Sequence, residues 1–243
     1  MKMLTFARRC AREILRDPLN LMFGLGFPGV LLLLLSAIQS HSPVPLFEIQ
    51  HLAPGIAVFG LSFMTLFSAT LIAKDRESAF LGRLYTLPLR PSDFILGYLL
   101  PTLPITLAQA AVCYLLAAIM GLPVTVHILY ALLMLLPISV FYVSLGLLCG
   151  SLLNVKQVGG ICGALLTNLS AWLSGVWFDL ELTGEIFSKI ARLLPFFHAV
   201  ELERNIIAGQ FSDALPHLLI VIGYGVIVTA AAILVFLRKM KRQ

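Results

Sequence analysis

Six apolar runs, near residues 19–39, 52–73, 94–120, 126–153, 157–178 and 215–237, set the terms for this chain. Each is long enough to cross a bilayer as a helix, which takes roughly 20 residues. Only 12% of the residues are charged and 59% are hydrophobic, with a mean hydropathy of +0.96, so the expected solvent is lipid and not water. The expected fold class is all-α: an integral membrane protein of six transmembrane helices. Pro101, Pro104 and Pro137 fall in the long third and fourth runs, where tilt or kinking is expected.

Orientation follows from the basic residues. Fourteen of the 17 Lys and Arg residues lie before the first run, between the second and third, between the fourth and fifth, or after the sixth; only Lys189, Arg192 and Arg204 lie on the other side. The positive-inside rule then puts both termini in the cytoplasm. Because the bias follows membrane topology, the net charge of +5 does not indicate nucleic acid. Residues 1–18 form an expected amphipathic interfacial helix, with Lys2, Arg8, Arg9, Arg12 and Arg16 on one side and Phe6, Cys10, Ile14 and Leu15 on the other. Its basic face is expected to meet anionic headgroups or a cytoplasmic partner. Asp17-Pro18 stops it. No small-residue cleavage site follows the first run, which is expected to be retained as a span. Cys10, Cys113, Cys149 and Cys162 lie in the N-terminal segment or within apolar runs and are expected as buried free thiols.

Catalytic chemistry is sparse. There is no HExxH pair, GxSxG elbow, Cys/His ligand spacing or GxxxxGK[ST] loop. The expected protein is therefore no enzyme, and any ATP chemistry has to reside in another chain. Within the spans only His127, Gln109 and Asn168 are polar enough to remark on, which gives ion-coupled transport little to work with. The outer loop 179–214 has helical spacing in GEIFSKIARLL and AVELERNIIAG, separated by Pro195, with Gly209 at a helix end. Its ELERN stretch, with Glu201 and Glu203, reads as a solvated charged helix. GxxxG frames at Gly146/Gly150 and Gly159/Gly163 permit close helix approach and are expected to pack within the chain.

The charged block between the second and third spans is longer than a turn requires. Asp75 is expected to cap a helix over about 75–87 with Glu77 in its first turn. Phe80, Leu81, Leu84 and Tyr85 gather on one side, Arg76 and Arg83 flank it, and Pro88 and Pro91 end it. A short amphipathic helix tied to two spans can act as a lever for an external protein.

At these residues the chain resembles a known family. KDRESAFLGRLYTLPLRPSDFILGYLL is similar to the segment after the second span of ABC-2-type exporter permeases. The likeness extends to LRDP before span one, LAPGIAVFGL opening span two, LSGVWFD closing span five, LLPFFHAVELERNIIAG in the last outer loop and the basic tail. It departs from the family at Ser78-Ala79-Phe80, in place of the more usual Gly-Thr-Leu, and at Thr86-Leu87-Pro88, which carries an extra residue. The resemblance implies a cytoplasmic coupling helix docking on a separate ABC ATPase subunit, with Arg76, Glu77, Phe80 and Arg83 on that element. It implies two ATPase copies carrying ATP and Mg, no cofactor in this chain, and a second permease subunit, identical or related. It also implies multi-pass residence in a bacterial or archaeal cell (inner) membrane.

The resemblance further points to spans two and five for the substrate path, where Phe59, Phe63, Met64, Phe67, Asn168 and Trp172 are the candidates. An apolar, aromatic lining suits an amphipathic small molecule, peptide or lipid-like cargo, moved outward by alternating access. The competing expectations are a polysaccharide- or glycolipid-exporting permease of the same family, a membrane scaffold that only recruits an ATPase, and an ion-coupled carrier.

Overall fold

The computed structural model describes residues 2–42, 47–78, 91–178 and 180–240, and among these there is helix but no strand. Helix α1 (Lys2–Leu15) is followed by α2 (Pro18–Leu21), a π-helical segment π1 (Met22–Gly26) and α3 (Phe27–Ser40). Then come α4 (Ile49–Glu77), α5 (Pro91–Leu99), α6 (Thr102–Ile119) and α7 (Val126–Leu152). The helix after α7 changes pitch twice, as α8 (Val155–Val158), π2 (Gly159–Leu166) and α9 (Thr167–Ser174). A 3-10 turn (Leu180–Thr183), α10 (Glu185–Leu193), α11 (Pro195–Ile207) and α12 (Phe211–Met240) complete the chain.

Five helical stretches among the described residues are long and apolar enough to span a membrane: Met22–Ser40, Ile49–Glu77, Ile95–Ile119, Val126–Leu152 and Phe211–Arg238. Helix α4 is almost wholly covered, whereas the other four keep half or more of their residues at least partly uncovered; in α12 Leu215, Leu219, Val226 and Ile227 all face outward. Exposed apolar surface on this scale has lipid as its natural solvent. The third span is interrupted where expected: Pro101 separates α5 from α6, and the Thr102 hydroxyl donates to the Leu99 carbonyl at 2.6 Å across the break.

Helix α4 is the axis of the bundle. Its 29 residues rise about 43 Å, and α3, α6, α7 and α11 pack around it. The closest approach is to α7, where a Cβ on Gly146 or Gly150 would strike the backbone or side chains of Thr65, Ser68 and Ala69. The Thr65 hydroxyl donates to the Tyr142 carbonyl at 2.8 Å across the same seam. Small residues let the backbones meet in surroundings where apolar side chains gain little by leaving lipid. The Gly146/Gly150 frame therefore packs within the chain as expected. The second frame does so only at Gly163, where a Cβ would lie 3.5 Å from the Leu66 side chain; Gly159 faces open space, as does Gly160 beside it.

The two helices expected in the 179–214 loop form as α10 and α11, with Pro195 at the first helical position of α11 and Gly209 at a φ of +76° beyond its end. Helix α11 is not merely laid on the bundle. It packs against α4, α7 and α12 and buries Phe196, Ala199, Val200, Leu202, Glu203 and Ile206. It lies at the end where α4 begins, whereas α1 lies at the end where α4 finishes.

Candidate functional site

At the end of α4, four consecutive residues each reach a different part of the protein. Successive residues on a helix point about 100° apart, so four in a row cover the circumference. Lys74 Nζ lies 3.7 Å from Asp17 Oδ2 at the junction of α1 and α2. Asp75 takes two bonds from Arg9, at 2.7 and 2.5 Å, and a third at 2.8 Å from the Tyr98 hydroxyl on α5. Arg76 Nη1 donates to the Gly150 and Leu153 carbonyls at 2.8 and 3.2 Å. Glu77 Oε1 accepts from the Val155 backbone N–H at 2.9 Å.

Arg76 and Glu77 thus clamp the break between α7 and α8 from both sides. Arg76 supplies a cation to the unpaired carbonyls that end α7, and Glu77 supplies an anion to an unpaired N–H that begins α8. Asn154 and Gln157 add a capping box at the same start. The Asp75 carboxylate is 1% exposed, and the bidentate guanidinium supplies the compensation its burial demands. Burial works against the Arg9 charge, but the bonds and charge of Asp75 outweigh it and raise the guanidinium pKa. Glu13 pairs with Arg9 at 2.7 Å on the outer side.

This geometry corrects the expected start of a separate helix at Asp75. Helix α4 continues through Asp75, Arg76 and Glu77, which belong to its last turn and bind inward. Phe80 and Arg83, with the rest of the expected helix to residue 87, lie outside the described residues. The N-terminal helix forms as Lys2–Leu15 and is amphipathic as expected. Its apolar stripe of Phe6, Cys10 and Ile14 is buried in the protein, with the Phe6 ring edge-on to Tyr98 at 5.0 Å and Gly97 leaving room for it. Arg8, Arg12 and Arg16 remain exposed, while Arg9 turns to Asp75. Burial pushes the Cys10 thiol up to about 12.

A groove of about 520 Å³ opens between π1 and α3, α4, and π2 and α9. One wall is a continuous aromatic ladder: Phe23 to Phe27 at 6.3 Å, Phe27 to Phe63 at 5.8 Å, Phe63 to Phe59 at 5.9 Å and Phe59 to Trp177 at 5.3 Å. The opposite wall is Gly159, Gly163, Ala164 and Asn168, and no charged residue lines the groove. Asn168 donates to the Ala164 carbonyl at 2.7 Å. Of the six path candidates, Phe59, Phe63 and Asn168 line this groove. Met64 and Phe67 are buried behind it, against Gly24, and Trp172 is half exposed outside it. The sequence reading passed over Phe23, Phe27 and Trp177. Their signal is an aromatic at i and i+4 in span one and a Trp just past the end of α9.

ELERN also differs from expectation. Glu201 forms an ion pair with Arg204 at 2.9 Å beside a polar cavity of about 610 Å³. Glu203 is fully buried, and the Tyr114 hydroxyl donates to its Oε2 at 2.8 Å. Among the described residues no cluster of three or more potential metal ligands occurs.

No curated protein matches the chain. The profile of the ABC-2 type transporter family, however, matches residues 1–208, from the N-terminal helix to the residue that follows α11. With most of the chain matched and an all-helical, multi-pass apolar bundle behind it, this protein belongs to the ABC-2 type transporter family.

Proposed function

We propose that the chain is the permease subunit of an ATP-driven exporter whose energy comes from separate ABC ATPase subunits. The observation that carries this reading is the Lys74–Glu77 hub. A segment beginning at Ser78 leaves a point already bonded to α1, α5, α7 and α8. A push on residues 78–90 from an ATPase would therefore move several spans together instead of bending one loop. The positive-inside bias puts this hub in the cytoplasm, where ATP is.

The helix Val155–Ser174 serves as the sixth span in this reading, since 20 residues rise about 30 Å. The aromatic groove is the cargo path. Its uncharged lining favours amphipathic or lipid-like cargo, because a buried unpaired charge would cost several kcal/mol there. The open Gly159–Gly160 face receives a second permease, identical or related, which closes the groove from the other side. Two ATPases with bound ATP and Mg would close beneath the pair, and the path would switch between inward and outward access. The polar cavity beside Glu201 and Arg204 is then the exit.

The test is ATP hydrolysis by the reconstituted complex. Glu77→Ala and Phe80→Ala should leave membrane insertion intact and lower cargo-stimulated hydrolysis and export. Wild-type turnover in both variants would remove the coupling role of the block.

A further inference from the structure

Glu203 has no role in the coupling or path just described, yet it is among the most deeply buried ionisable groups in the protein. Its position follows from the spacing of α11: Phe196, Ala199, Val200, Glu203 and Ile206 fall on one stripe, so docking the apolar face carries the carboxyl inside with it. The Tyr114 hydroxyl donates to Oε2, and Oε1 has no partner among the described residues.

Among the described residues no cation is bonded to it. Arg204, its neighbour on α11, points away, to Glu201, the His51 carbonyl and the Gly175 carbonyl. The titratable groups on the surrounding elements are engaged elsewhere. His127 of α7 meets the Ile207 carbonyl, and Tyr142 of α7 packs on Phe196. His217 of α12 meets His198, and Arg192 of α10 lies over Phe197. Tyr114 of α6 is the group that reaches the carboxyl.

The two charge states differ sharply in cost. A buried carboxylate held by a single neutral donor costs several kcal/mol. A neutral acid leaves at most one O–H unpaired, at roughly 1–3 kcal/mol. The neutral form wins.

We infer that Glu203 is a proton-binding site: docked α11 holds it as the neutral acid, and undocking of α11 releases that proton to water at the end of the bundle where α4 begins. The proton leaves a carboxyl oxygen for a water molecule, and redocking takes it back from the same side. Burial pushes the Glu203 pKa well above the usual carboxylate value, in agreement with this. The sign of the linkage follows. The docked state binds the proton more tightly, so docking is strongest at low pH. It weakens as pH rises from the free carboxyl value, about 4.3, through the raised docked value.

The full chain in lipid nanodiscs tests this without any ATPase, so its outcome is separable from that of the proposed export function. At pH 7 the infrared spectrum should contain the C=O stretch of a non-ionised carboxylic acid that Glu203→Gln lacks. Glu203→Gln keeps an oxygen for Tyr114 and is expected to fold. Exchange of the α11 amides, corrected for intrinsic rate, should rise by up to about tenfold per pH unit in the wild type and stay flat in Glu203→Gln. Tyr114→Phe removes the donor that favours the anion, so the acid band should persist to higher pH. An ionised Glu203 at pH 7, or α11 exchange that is independent of pH in the wild type, would overturn the assignment.

Discussion

Replacing Asp75 with Asn should free the N-terminal helix by an amount the structure allows one to work out. Asp75 accepts three hydrogen bonds, two from Arg9 and one from Tyr98. The amide keeps an oxygen for Tyr98 but sets an NH₂ against the guanidinium, so the charge-assisted pair is lost. Breaking a buried pair costs roughly 3–5 kcal/mol when the surviving charge is stranded. Arg9 is not fully stranded: its side chain is 34% exposed and it retains Glu13 at 2.7 Å. The cost should therefore fall to about 2–3 kcal/mol, which raises the population of undocked α1 about 30- to 150-fold. Cys10 reports that population directly, because it is 0% exposed when α1 is docked and its thiol is held protonated. With Cys113, Cys149 and Cys162 replaced by Ala, the rate of maleimide labelling of Cys10 in nanodiscs should rise by this factor in Asp75→Asn. A rate within about twofold of the parent would show that the ion pair does not hold α1.

Three further perturbations follow from the same contacts. Arg76→Gln removes the cation from the Gly150 and Leu153 carbonyls and should lower thermal stability by about 1–2 kcal/mol and coupled ATP hydrolysis by more than insertion, measured on the same nanodisc sample. Gly150→Ala drives a Cβ into the Ala69 backbone and should abolish correct folding, whereas a Cβ on Gly160 meets nothing in this chain, so Gly160→Leu should leave the fold intact while weakening pairing with a second permease, as read by crosslinking. Phe63→Ala removes two rungs of the aromatic ladder, each worth about 0.5–1.5 kcal/mol, and should change which amphipathic compounds stimulate hydrolysis more than it changes basal hydrolysis.

Five of the six expected spans were legible because lipid imposes length and polarity on them, and Pro101, Pro195 and Gly209 marked real breaks. The hub was not, for a reason visible in its residues. Arg9 sits in a basic run that reads as a headgroup face, and Asp75 before a charged stretch reads as a helix cap. Only the fold of α1 back onto α5 turns the two into a pair separated by 66 residues. Glu203 was misread because a charge in a loop between spans is expected in water. The stripe that buries it, at Phe196, Val200 and Ile206, was present but was outweighed by the acids and Arg204 around it. The groove was half legible: Phe59, Phe63 and Asn168 on spans two and five were singled out, but the contribution of π1 depends on a change of helical pitch that no residue pattern announces.

If the block beginning at Lys74 connects the spans to an ATPase, that ATPase should stay bound when the membrane is dissolved. The direct measurement is to tag the chain, extract it from native membranes in mild detergent, and ask whether a subunit of ATPase size co-purifies with ATP hydrolysis. It should, and Glu77→Ala and Phe80→Ala should reduce the hydrolysis while the chain still inserts. A folded chain, with Cys10 still protected, that brings down no ATPase would contradict that connection.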